Sequence, residues 1–328
     1  MRKYQAAIVS AIILTFFVAN FGIWFYITRK CGNNYSGTSS LKMIDVSKYL
    51  PYEQDSDLAR IDTDIMLEGD LPVLDGAAAL VPVYASVIDN IYPEGCVTYE
   101  GGVFSDDNYY GENFAEGSAM RYRNTVRGFE ALVNGDADIF FTAQISSEQM
   151  EYAGSQGVEL VMVPIGLEAF VFFVNDSNPV TDLTTEQIRN IYNGTITNWS
   201  ELGGPGRPIN PLTRIQGSGS QTTMEAFMGQ DSIAPRRPES IFGAGIGYSF
   251  RFYLTGMVDN PNIQMLSING VAPTNENIRN GSYPIISEFY VVYRADNTNP
   301  NVDIVVNFLL SDEGAQLIEA CGYTAIEH

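Results

Sequence analysis

Histidine is all but missing from these 328 residues: the one copy, His328, is the last. A catalytic triad needing an internal imidazole is thereby excluded, as are zinc sites built on paired histidines. Cysteine is scarce too, at three (Cys31, Cys96, Cys321), with no Cys-x-x-Cys spacing. Cys96 and Cys321 either pair in an oxidising compartment or stay two separate, partly buried thiols. Positive charge is the third shortage: 18 lysines and arginines stand against 39 aspartates and glutamates, a formal charge of −21. Such a surface repels nucleic acid. It repels small anions as well, so any anion site must be local, built from backbone N–H groups and an arginine. No Gly-x-Ser-x-Gly elbow, Walker A loop, metal cluster or paired-carboxylate motif is present, so an enzymatic reading, with or without a cofactor, has no support.

Hydrophobic residues make up 45% of the chain, and one stretch of them dominates the start. Residues 6–28 read AAIVSAIILTFFVANFGIWFYIT, long enough to cross a bilayer as a helix of about 20 residues. Arg2 and Lys3 precede it, and Trp24 and Tyr26 lie near its outer end, where amphipathic rings favour the interface. The pattern predicts an uncleaved anchor over residues 1–30, with the rest of the chain on the extracytoplasmic face. Cys31 follows directly, but Thr28, Arg29 and Lys30 lack the small apolar character of a lipidation motif. Residues 31–70, polar and then acidic, read as a stalk, with the folded body starting near Leu71.

From Pro72 onward strands alternate with helices, which predicts an α/β body with largely parallel strands. "PVLDG" is a short buried strand followed by a helix to about Ile91, with Pro82 in its first turn. Thr125 is placed to cap "VRGFEALVNG", whose Val126, Phe129, Leu132 and Val133 share a helical face. "VELVMVPI" and "GLEAFVFFVN" read as two successive strands, and Thr184 with Gln187 forms a capping box for "TTEQIRNIYNG". Three junctions share one design, a strand end, a turn of small or hydroxyl residues, and a helix start: Asp75-Gly76-Ala77-Ala78, the Thr125 junction, and Gly217-Ser218-Gly219-Ser220. Helix N-termini expose unpaired N–H groups and partial positive charge, and so attract anions. Gly219 permits close backbone approach, Ser218 and Ser220 add hydroxyls, and Arg214, just upstream, can grip an oxyanion with two prongs.

"TRIQGSGSQTTMEAF" resembles the Arg-x-x-Gly-Ser-Gly-Thr segment of the phosphate-binding proteins of ABC transporters. "DGAAALVPVYASVIDNIYP", "LTTEQIRNIYNGTITNWSELGG", "GAGIGYSF" and "FLLSDEGAQLIEACGY" continue the likeness, in order, over roughly residues 71–326. The resemblance implies a two-lobed type II periplasmic-binding-protein fold with hinge crossings near 164–174 and 283–292. Lobe I would take 71–165 and 285–328, and lobe II 166–284. It implies that Arg214, Ser218, Gly219 and Ser220 contact phosphate from one lobe, with the Thr125 hydroxyl and the Ala78 N–H contacting it from the other, and that an ABC permease receives it.

Two departures accompany the likeness. Ala78 has no hydroxyl, and the acid that accepts the proton of hydrogen phosphate in this family would fall at Thr142-Ala143-Gln144, where no carboxylate stands. Glu168 is the candidate replacement. The second reading is therefore a membrane-tethered sensor or scaffold with an altered anion site.

Overall fold

Leu74–Gly76 (β1) is short and wholly buried, and it runs parallel to Ile139–Thr142 (β2), with Leu74 opposite Ile139 and Gly76 opposite Phe141. These strands belong to a computed structural model that describes residues 45–101, 114–237, 240, 243–258 and 260–326. After β1 a single 3-10 turn, Ala78–Leu80, leads into Val81–Ile91 (α1). Pro82 sits in the first turn of α1, where its missing N–H has no intrahelical partner to lose. Asn124–Asn134 (α2) ends at Gly135, whose φ of 83° closes the helix in the left-handed region. Ser147–Ser155 (α3) and Thr185–Tyr192 (α4) both open with a complete capping box, Ser146 with Gln149 and Thr184 with Gln187.

The strand expected in two pieces is one. Leu160–Asn175 (β3) runs 16 residues, with a register shift between Pro164 and Gly166. A proline and a glycine read as breakers, but a bulge accommodates both within a single strand. Along its first half β3 pairs antiparallel with Ile286–Arg294 (β9), from Leu160 opposite Arg294 to Ala169 opposite Ile286. Along its second half it pairs with Ala244–Phe250 (β6) and Ile263–Met265 (β7). Ile209–Pro211 (β5) lies parallel to β6, Asp182–Leu183 (β4) parallel to Ser267–Ile268 (β8), and Thr324–Ala325 (β10) antiparallel to β3. The main sheet has the order β1-β2-β9-β3-β6-β5. The expectation of largely parallel strands is thus corrected, because β2–β9 and every pairing of β3 are antiparallel. The two long strands that carry the chain back and forth impose that direction on their neighbours.

Apolar side chains gather in separate cores. The first holds Leu74, the buried face of α1 and Phe141, with Phe289 and Val291 of β9. Pro300–Leu309 (α7) and Asp312–Ala320 (α8) cover it; α8 is capped by Ser311, whose hydroxyl accepts from the Gly314 N–H at 3.2 Å. The second core holds Phe170–Phe172 and Val174 of β3, Ile188 and Ile191 of α4, Trp199 and Tyr248, with Ile278 from Asn275–Arg279 (α6). The mid-sections of β3 and β9 pass from one core to the other: Ile165 and Phe289 lie in the first, Ala169 in the second, and Ile286 packs against the second. Residues 45–70 are not simply a stalk, since Val46, Tyr49 and Leu67 are buried in the first core. Cys96 and Cys321 are free thiols. Among the described residues no helix is long and apolar enough to cross a membrane. The anchor expected at 6–28, and Cys31, lie outside the described residues.

Candidate oxyanion site

Gly76 ends β1 where two walls meet. A Cβ there would lie 2.8 Å from the Phe141 carbonyl oxygen and 2.9 Å from the Tyr84 ring, so only glycine fits. The Ala77 N–H donates to that same carbonyl at 2.8 Å, which fixes the turn. Ala78 opens the 3-10 turn, and its methyl group belongs to the first core. Only its backbone is left to meet a ligand.

Thr125 does not cap α2 as the sequence suggested. The helix starts one residue earlier, at Asn124, which takes a φ of 64°. The Asn124 Oδ1 accepts from the Thr125 N–H at 2.8 Å, and Thr125 itself is buried in the first helical turn. Beneath this junction lies a carboxylate that the sequence reading placed only as part of the β1 turn. Asp75 is fully buried; its Oδ1 accepts from the Gly76 N–H at 2.8 Å and the Arg123 N–H at 3.0 Å, and its Oδ2 from the Arg123 guanidinium at 3.0 Å. Burial pushes this carboxyl up, and the Arg123 charge and the N–H donors pull it back. Asp75 therefore ties the β1 turn to the start of α2. A Cβ on Gly128, one turn into α2, would stand 3.4 Å from the Asp75 carboxyl carbon and 2.7 Å from Phe140, so the carboxylate is walled in on that side too.

Gly219–Met228 (α5) begins as predicted to within a residue. Ser218 is its N-cap, accepting from the Gln221 N–H at 3.4 Å and donating to the Ile215 carbonyl at 2.9 Å. Gly217 takes a φ of 76° in the preceding turn. The α2 and α5 starts abut: a Cβ on Gly219 would lie 3.9 Å from the Thr125 Oγ1, and one on Gly217 3.6 Å from Val126. Two helix N-termini with their unpaired N–H groups and a buried hydroxyl thus converge, an arrangement suited to a small anion. Arg214 is anchored by its own N–H, which donates to the Gln221 Oε1 at 3.0 Å and the Tyr248 hydroxyl at 3.1 Å. Its Nε is buried without a partner. Arg214 lines a cavity of about 650 Å³ to which, among the described residues, neither Ser218, Gly219, Ser220 nor Thr125 contributes.

The acid question has a clear geometric answer. Thr142 and Ala143 are buried, and the Thr142 Oγ1 has no partner. Glu168 is buried on β3, where its Oε1 accepts from the Ala169 N–H at 2.8 Å and the Arg251 Nε at 3.3 Å, and its Oε2 from the Phe252 N–H at 3.2 Å. Burial raises its carboxyl to about 6, against the pull of Arg251. Both oxygens are engaged, so Glu168 is a fastening of the strand crossing and not an open acceptor. Among the described residues no three His, Cys, Asp or Glu side chains gather to hold a metal ion.

Residues 115–313 match the family model described as a PBP superfamily domain. The phosphate-binding protein PstS of Borreliella burgdorferi is 25% identical over 62% of this chain and 78% of its own. Protein SphX of Synechococcus elongatus is 24% identical over 74% of this chain and 83% of its own. Among solved structures, a substrate-binding protein from Clostridium perfringens, assigned to a phosphate ABC transporter and holding bound phosphate, superposes with a TM-score of 0.58 at 22% identity, covering 79% of this chain and 100% of that one. An ABC-type phosphate transport receptor from Vibrio cholerae gives 0.52 at 20% identity, over 77% and 99%. With more than half its length matched by the family model and its fold shared with those structures, this chain belongs to the PBP superfamily.

Proposed function

We propose that the chain binds inorganic phosphate, or a closely related oxyanion, where the start of α2 meets the N-terminus of α5, and delivers it to an ABC-type permease. The observation that carries this reading is the close approach of Gly219 to Thr125, which sets an unencumbered helix N-terminus against a buried hydroxyl. In this reading residues 71–165 with 285–328 form one lobe and 166–284 the other, and β3 and β9 are the hinge. Ser218, Gly219 and Ser220 supply N–H and hydroxyl donors, Thr125 a hydroxyl, Ala78 an N–H, and Arg214 the charge. The phosphate named for the PstS relatives and for the Clostridium perfringens structure supports the choice of ligand. The apolar run 6–28 tethers the body outside the membrane, as suits a binding protein that serves a permease.

Three observations favour a sensor or scaffold as the second reading. Loop 142–144 has no carboxylate, Glu168 is already occupied, and Ala78 turns a methyl group into the core. The site is then almost all donors, and its strength rests on charge-assisted bonds. One such bond contributes about 1.5–3 kcal/mol, so Arg214→Ala should weaken phosphate binding at least tenfold by calorimetry. Unchanged affinity in that variant would remove Arg214 from the site. Phosphate uptake in cells carrying the partner permease, present or lost when the chain is deleted, separates delivery from sensing.

A further inference from the structure

The Ala78–Leu80 turn lies between the two large cores: the Ala78 methyl group belongs to the first, and Ala79 packs against the second. As the opening residues of a 3-10 turn, Ala78 and Ala79 have N–H groups with no partner inside it. Locally the turn is shaped by the Ala77 N–H, which donates to the Phe141 carbonyl at 2.8 Å, and the Leu80 N–H, which donates to the Ala77 carbonyl at 2.9 Å. A further bond reaches it from the far end of the chain, where the Tyr323 hydroxyl donates to the Ala79 carbonyl. Tyr323 is buried, and its ring is fixed on two sides, 5.2 Å from the Phe289 ring of β9 and 4.7 Å from the Phe252 ring. Phe252 immediately precedes a π-helical turn, Tyr253–Val258, whose Tyr253 packs against both cores. Gly322 permits this approach: its φ is 89°, and a Cβ there would lie 2.8 Å from the Phe252 ring. The Gly322 carbonyl accepts from the Arg251 guanidinium at 2.7 Å, and Arg251 is held in turn by Glu168. Burial pushes the Tyr323 hydroxyl well above the ordinary tyrosine value, so it remains a donor. None of these contacts involves Arg214 or residues 217–220.

We propose that Tyr323 is a positioning residue for the oxyanion site: by holding the Ala79 carbonyl, its hydroxyl sets the rotation of the Ala78–Leu80 turn and so aims the Ala78 N–H at the anion. This role rests on the reading that phosphate binds where that turn meets the starts of α2 and α5. Residue 78 has no side-chain hydroxyl, so the contact from this side is made by backbone alone, and its direction is decided by the turn. A hydrogen bond weakens steeply as it bends, so a turn freed to rotate loses the contact without unfolding. Removing the hydroxyl leaves the half-buried Ala79 carbonyl without this donor, and the turn shifts to find another. Tyr323 touches no ligand atom and acts only through Ala79.

Inorganic phosphate is titrated by calorimetry into the full chain and into full-chain Tyr323→Phe, which keeps the ring between Phe252 and Phe289 and removes only the hydroxyl. The variant is expected to bind phosphate at least about threefold more weakly. Phe308→Leu is the control: it loosens the same core from α7, and should lower the urea midpoint while leaving phosphate affinity within about twofold. In wild type made with isotope-labelled alanine, the Ala78 amide resonance is expected to shift as phosphate saturates the protein, and in Tyr323→Phe to shift less. The proposal is overturned if Tyr323→Phe loses less than about threefold in affinity, or if Phe308→Leu loses as much as Tyr323→Phe. It is also overturned, with no variant needed, if the wild-type Ala78 amide stays in place at saturation. A wild type that binds phosphate and gives any of these results keeps the oxyanion site and loses only the role of Tyr323; a wild type that binds no phosphate loses both.

Discussion

Two glycines at the site have opposite reasons to be glycine. At Gly76 a Cβ would meet the Phe141 carbonyl oxygen at 2.8 Å and the Tyr84 ring at 2.9 Å, and neither can retreat from the core. Gly76→Ala should therefore destabilise the protein by about 1–3 kcal/mol, read as a lower urea midpoint. At Gly219 a Cβ would meet only ordinary contacts, 3.8 Å from Phe250 and 3.9 Å from Thr125. Gly219→Ala should leave the urea midpoint where it is and weaken phosphate, because the methyl group stands where the anion must approach the backbone. Equal loss of stability in the two variants would contradict this assignment. Gly219 was legible in the sequence because Gly-Ser-Gly-Ser before a helix is a local pattern. Asp75 was not, since Asp-Gly at a strand end reads as an ordinary turn, and only the tertiary fold buries the carboxylate and brings Arg123 across to it.

Among the elements, β3 bears most of the architecture. Its register shift lies at Pro164 and Gly166, and a Cβ on Gly166 would fall within 2.4 Å of the Phe289 ring, so the crossing strands pack too closely for any side chain there. Reading the sequence as two strands was a fair inference from a proline and a glycine, because pairing with β9 across the shift is a long-range property. The capping boxes and the Ser218 and Ser311 caps were legible because their partners lie three residues away. The start of α2 was misjudged by one residue because Asn124 adopts a left-handed conformation that local patterns place in turns. Glu168 makes β3 sensitive to pH. Its folded carboxyl titrates at about 6, above the ordinary 4.5, so its stabilising contribution is full below pH 4.5 and is lost as pH rises through 6. The loss amounts to about 2 kcal/mol. Urea unfolding of the wild type and Glu168→Gln between pH 4.5 and 7 should show that decline in the wild type and its absence in the variant. Parallel curves would show that Glu168 does not titrate in this window.

At the scale of the whole molecule, the folded body reaches further toward the N-terminus than polarity suggested. Val46, Tyr49 and Leu67 are buried in the first core, and the Tyr52 hydroxyl donates to the Ile88 carbonyl at 3.1 Å. The acidic residues interspersed through this segment concealed this, because its apolar residues follow no sustained helix or strand period. A truncation series tests both this and the anchor. The full chain should sediment with membranes, and a chain starting near residue 32 should be soluble and keep its melting temperature. One starting at residue 71 should melt well below it, since each such side chain contributes about 1.5–3 kcal/mol when buried. Recovery of the unprocessed full chain in the soluble fraction would remove the anchor from the account. The central claim, an oxyanion held by donors at the meeting of α2 and α5 without a free carboxylate to read its proton, is tested most directly by calorimetric titration of phosphate and sulfate into the protein at pH 7. An available carboxylate would accept from hydrogen phosphate and repel sulfate, a discrimination that this site lacks. The predicted result is one-to-one binding of both anions, with phosphate preferred by less than about a thousandfold, or 4 kcal/mol. Binding of neither anion, or a larger preference for phosphate, would contradict it.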